Sequence, residues 1–112
     1  MKNTVIGYMY RDASNYKAYN EVVVRGKLTL EQLKDTLEEE CFIPAQVGLP
    51  ELQSRLSSFP SSDDHVWHTI ERVEPTNEEA TVKIAGSTLR GRFLYAKKRG
   101  WDIVRAMERL GL

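Results

Sequence analysis

The sequence predicts a single α+β domain over residues 1–112, with a small, mainly antiparallel sheet packed against about four helices. Three observations lead there. β-branched and aromatic runs near the start are separated by a turn-rich segment. Later segments repeat apolar residues at helical spacing behind capping residues. The composition, 41% apolar and 29% charged over 112 residues, matches a folded domain large enough to bury a core without disulfides.

Thr4 to Arg11, with Val5, Ile6, Tyr8, Met9 and Tyr10, reads as a first strand that stops at Asp12-Ala13-Ser14-Asn15. Tyr19 to Arg25, centred on Val22-Val23-Val24, reads as its hairpin partner, closed by Gly26. Thr29 and Gln32 form a capping-box pattern that opens a helix, and Leu30, Leu33, Leu37 and Cys41 recur on one face of it. The segment from Phe42 to Pro50 is apolar but broken by Pro44, Gly48 and Pro50, which favours an extended buried connection. A short second helix is expected from Pro50 to about residue 58, carried by Leu49, Leu52, Leu56 and Phe59, and the serine-rich stretch to Ser62 ends it.

His65 to Glu74 alternates like a strand, and Thr81 to Ala85 suggests a shorter one bounded by Gly86. Ser87 caps the expected third helix, with Leu89, Phe93 and Ala96 inward and Arg90, Arg92, Lys97 and Lys98 outward. Gly100 ends it and Trp101 wedges into the core. Asp102 caps a fourth helix whose expected buried stripe is Ile103, Val104, Met107 and Leu110.

The zero net charge hides a segregation along the chain. Residues 1–30 carry +3, residues 31–79 carry −9 and residues 80–112 carry +6. Such asymmetry bears on association more than on fold. The triplet Glu38-Glu39-Glu40, placed at a helix end, opposes the helix dipole and calls for nearby positive charge, for which Lys97-Lys98-Arg99 is the candidate. The single cysteine, Cys41, has no internal disulfide partner, and its acidic neighbours disfavour a reactive thiolate. The start lacks the apolar run of a signal peptide and no stretch is long enough to span a bilayer, so a cytoplasmic protein without membrane contact is expected.

Both histidines fall within Asp63-Asp64-His65-Val66-Trp67-His68. Imidazoles beside carboxylates suit proton transfer or a metal, and His65, His68 and Asp64 are the candidate catalytic residues of a small hydrolase or nuclease. On a strand, a spacing of three puts the two rings on opposite faces, which argues against a shared chelate, and no metal or cofactor is expected. The competing structural role is that an aspartate caps a turn, Trp67 fills core and at least one imidazole donates to a backbone carbonyl.

Two candidate binding surfaces remain. Tyr8, Tyr10, Tyr16 and Tyr19, with Arg11, bring residue types favoured at protein interfaces into the first hairpin. Lys97, Lys98 and Arg99, with Arg90, Arg105 and Arg109, form a basic set accompanied by Tyr95 and Trp101 but by no recognisable nucleic-acid reader motif. The leading expectation is a small protein-interaction or regulatory module with a protein partner or a second copy of itself. Acid-base catalysis is the alternative, and nucleic-acid binding through the basic helices is third.

Overall fold

In the computed structural model, which describes residues 2–112, the chain begins with the expected hairpin. Strands β1 (Asn3–Arg11) and β2 (Lys17–Arg25) pair antiparallel, from Asn3 opposite Arg25 to Arg11 opposite Lys17. Asp12 shapes the connection: its carboxylate accepts the Tyr16 N–H at 2.9 Å, and Asn15 takes the left-handed conformation that asparagine tolerates. The second strand begins two residues earlier than its apolar pattern suggests.

Strand β1 is buried without interruption from Thr4 to Tyr10, because it lies inside a four-stranded antiparallel sheet of order β2-β1-β4-β3. The short β3 (Cys41–Phe42) pairs with the start of β4 (His68–Thr76). A bulge at Glu71 shifts the β1–β4 register between Gly7 and Tyr8. Gly7 is needed on the outer face there. Arg72 and Glu21 reach across β1 to pair at 2.9 Å, and a Cβ on Gly7 would stand 3.3 Å from the Arg72 Cβ. Pro75 sits within β4 at no cost to the ladder: the Val23 N–H points away from β1 toward Thr81, so alternation directs position 75 to the free edge.

Three helices form rather than about four. Helix α1 (Leu30–Lys34) starts at the expected capping box, with the Thr29 hydroxyl accepting from Gln32 N–H at 3.3 Å and the Gln32 side chain accepting from Thr29 N–H at 3.0 Å. It stops early. The buried Thr36 hydroxyl donates to the Leu33 carbonyl at 2.5 Å, and Glu38 and Cys41 then exchange backbone bonds around Glu39 and Glu40, both at positive φ. Turning the acidic triplet out of the helix relieves its conflict with the dipole and moves Cys41 from the expected helix stripe into β3.

The expected helix after Pro50 is a single 3-10 turn, Gln53–Arg55, and the Leu52 N–H before it donates to the His68 ring at 3.1 Å. Thr81 to Ala85 forms no strand. It crosses the edge of β2, where Thr81 bonds to Val23 and Ala85 bridges Arg25 in parallel. Helix α2 (Gly86–Arg99) begins one residue before Ser87, without a side-chain cap, and buries Leu89, Phe93 and Ala96 as expected. Helix α3 (Ile103–Leu110) is capped by Asp102, whose carboxylate accepts the Arg105 N–H at 3.0 Å.

The rotation of α3 is not the expected one. Ala106 is buried, whereas Ile103, Val104 and Met107 are 42%, 68% and 40% exposed. Trp101, just before α3, is buried, and its indole N–H donates to the Thr36 carbonyl at 3.0 Å. The core on the other side of Trp101 is an aromatic chain in which Tyr8, Phe42, Phe93 and Trp101 follow one another at centroid spacings of 5.7, 5.3 and 5.9 Å.

The connection from Phe42 to Pro50 buries Phe42, Ile43, Pro44, Val47 and Leu49 but exposes Gly48 and Pro50, and it carries a 3-10 turn, Pro44–Val47, ended by Gly48 at φ 87°. A Cβ at Gly48 would lie 2.2 Å from an Arg92 guanidinium nitrogen that donates to the Val47 carbonyl. Gly48→Ala is therefore expected to cost about 1–2 kcal/mol, from positive φ and the displaced arginine, measured by denaturant unfolding.

Candidate functional site

The Asp63–His68 segment lies between the hairpin end and the start of β4, and hydrogen bonds account for its two aspartates and two histidines one by one. Asp63 accepts from the Ser14 hydroxyl at 2.5 Å through its carboxylate and from the Ala13 N–H at 3.1 Å through its carbonyl. Asp64 accepts from the Tyr10 hydroxyl at 2.5 Å and from the Ser61 N–H at 2.9 Å. The His65 Nδ1 accepts from the Trp67 N–H at 3.0 Å, which leaves Nε2 to donate to the Arg11 carbonyl at 2.6 Å. In His68, Nε2 accepts from the Leu52 N–H at 3.1 Å and Nδ1 faces the Val66 carbonyl at 3.4 Å.

Both ring nitrogens of both histidines are therefore engaged by backbone groups. His65 precedes β4 rather than belonging to it, while His68 opens the strand and is 1% exposed. Burial depresses the His68 pKa to about 3, against a weaker upward pull from the Val66 carbonyl. Burial and the Asp64 carboxylate together raise the Tyr10 hydroxyl above its usual range. These groups fasten the hairpin tip, the end of β1 and the 50–60 segment together. Among the described residues, no cluster of three His, Cys, Asp or Glu side chains is arranged to hold a metal ion.

The hairpin tyrosines divide by strand. Tyr8 and Tyr10 are fully buried, so as binding residues they are withdrawn from the surface, while Tyr16 and Tyr19 are 62% and 60% exposed. Arg11 is exposed beside them. Lys97, Lys98 and Arg99 occupy the last turn of α2, where cations suit the helix dipole. None of the ion pairs among the described residues joins them to Glu38, Glu39 or Glu40.

Arg99 instead borders a cleft of about 530 Å³ at the elbow between α2 and α3. Its guanidinium lies 5.6 Å from the Tyr95 ring centroid. Arg105 and Arg109, one helical turn apart, enter from α3. Arg109 is held by two bonds to the Glu51 carboxylate, at 2.7 and 3.0 Å, whereas Arg99 and Arg105 have no carboxylate partner among the described residues. Gln46 stiffens the elbow, donating to the Gly100 carbonyl at 3.3 Å and accepting from the Asp102 N–H at 2.9 Å. Gln46 and Glu51 were invisible as site residues in the sequence, since they lie some fifty residues from the arginines they organise.

What the fold and these contacts define is a small α+β domain with one polar hub, whose histidines are bonded to the backbone, and one basic, open cleft. Comparisons with protein-family models, with curated proteins and with solved structures returned no match to this chain. Among the described residues, no helix is long and apolar enough to cross a membrane.

Proposed function

We propose that the protein is an interaction module that docks an acidic segment of a partner protein at the α2–α3 elbow. The observation that carries this reading is the convergence of Arg99 and Arg105, neither with its guanidinium in an ion pair among the described residues, on one stiffened cleft. Unpaired guanidinium groups on a preorganised surface complement carboxylates bidentately. The same two helices also hold Leu94, Tyr95, Ile103, Val104 and Met107, most of the large apolar side chains left exposed. Of these, Tyr95 lines the cleft next to Arg99, and an aromatic ring beside arginine favours a protein over a nucleic acid, whose backbone asks mainly for charge. An acid-base role for His65 or His68 would first require a ring to surrender a backbone bond.

The test is a fluorescent peptide rich in glutamate and leucine, titrated by anisotropy against the protein and an Arg99→Glu, Arg105→Glu variant. Binding should weaken with added salt and fall about tenfold or more in the variant. Equal binding by the variant, or stronger binding of a single-stranded oligonucleotide of the same charge, would overturn the reading. So would a dimer in light scattering that the variant dissolves, because the occupant would then be a second copy.

A further inference from the structure

A second concavity, independent of the elbow, lies between α1, β3 and the outer face of β1 and β4. Its volume of about 430 Å³ is in the range of small-ligand sites. Ladder register sets Met9, Thr69 and Cys41 side by side across three strands as its floor, and Trp67 and Leu37 extend the apolar surface. Two carboxylates border one end. Glu40 immediately precedes Cys41, and Glu71 folds back so that its carboxylate accepts the Thr69 hydroxyl at 3.2 Å.

Neither Glu40 nor Glu71 has an ion-pair partner among the described residues. The cation bordering the same concavity from α1, Lys34, sits 4.0 Å from Glu31, and both those side chains are largely exposed. Arg11 stands at the far end of the concavity, beyond Met9 along β1. Glu40 is brought to the rim by a turn in which Glu39 and Glu40 take φ of 47° and 69°. Two-residue turns of this kind prefer Asn-Gly, and non-glycine residues held there carry strain. The charge reaches the floor: burial first, then Glu40 and Glu39, push the Cys41 thiol up.

We propose that this concavity binds a small apolar amine, its ammonium group between Glu40 and Glu71 and its hydrocarbon body over Met9 and Trp67. Unpaired carboxylates at one end of an apolar floor complement a cation with an apolar body, and Trp67 offers that body an aromatic face. An anionic ligand of the same shape would have to lie the other way round, with its charge toward Arg11 and away from Glu40 and Glu71.

Cys41, the chain's single cysteine, reports occupancy, because it lies in the floor and is only partly buried. Its alkylation by iodoacetamide is followed by mass spectrometry in the presence of phenethylamine, 3-phenylpropanoate or 2-phenylethanol, which share an aromatic body and differ in charge. Phenethylamine should protect Cys41 at concentrations about tenfold lower than either of the others. In a Glu40→Gln, Glu71→Gln variant, whose substituted side chains are on the surface, that advantage should vanish while the thermal melt and acidic-peptide binding at the elbow persist. Equal protection by all three compounds, better protection by the carboxylate, no protection into the millimolar range, or an advantage that survives in the variant would each overturn the proposal.

Discussion

Phe93→Ala is expected to lower the free energy of unfolding by about 3–5 kcal/mol, the range for truncating a fully buried phenylalanine. Phe93 is 1% exposed and stands between Phe42 and Trp101 in the aromatic chain, so its removal opens a cavity where α2, β3 and the start of α3 meet. Against the 5–15 kcal/mol typical of a domain, roughly a fifth or more of the stability would be lost. Leu94→Ala is the matched control: its side chain is 45% exposed, and its substitution should change stability by no more than about 0.5 kcal/mol. Urea unfolding of the two variants measures both. A loss below about 1.5 kcal/mol for Phe93→Ala would mean that α2 does not dock by this face.

The second large effect is a loss of stability in mild acid that originates at His68. Its pKa is about 3 in the folded protein against an ordinary 6.5, so the unfolded chain binds the proton more readily. Stability from this group is complete above pH 6.5 and declines as the pH falls toward 3, by about 1.4 kcal/mol per pH unit. Between pH 6.5 and 5 the expected loss is about 2 kcal/mol. His68→Gln removes the titrating group, so its unfolding free energy should change far less over that interval, although it starts lower for loss of the Leu52 bond. Parallel pH profiles for the two proteins would show that His68 is not the group responsible.

What sequence reasoning reaches is what short-range chemistry decides. The hairpin follows from two β-branched runs around Asp12 and Asn15, α1 opens where Thr29 and Gln32 face each other across one turn, and Asp102 caps α3. The structural use of the Asp63–His68 cluster was also within reach, since aspartates in turns and imidazoles near backbone carbonyls are common pairings; here both histidines make such a contact. The remainder depends on residues far apart in the chain. Leu37 and Cys41 continue a helical pattern that Thr36 and two left-handed glutamates cut short. The amphipathic pattern of α3 is genuine, but the packing buries Ala106 and leaves Ile103, Val104 and Met107 exposed. The elbow cleft needs Gln46 and Glu51, which meet Asp102 and Arg109 only through contacts more than fifty residues long in sequence.

The strand order has a consequence for synthesis. β1 finds its hairpin neighbour within a few residues, but its other neighbour, β4, follows about sixty residues later. At roughly 5–20 residues per second, a ribosome that has released the hairpin needs roughly 3–10 s more to deliver β4. Throughout that interval the most apolar strand of the protein presents an unpaired edge, open to a neighbouring nascent chain. Slow codons between the segments encoding residues 25 and 68 would lengthen the exposure, so the yield of this fold in a cell should respond to translation speed as well as to stability.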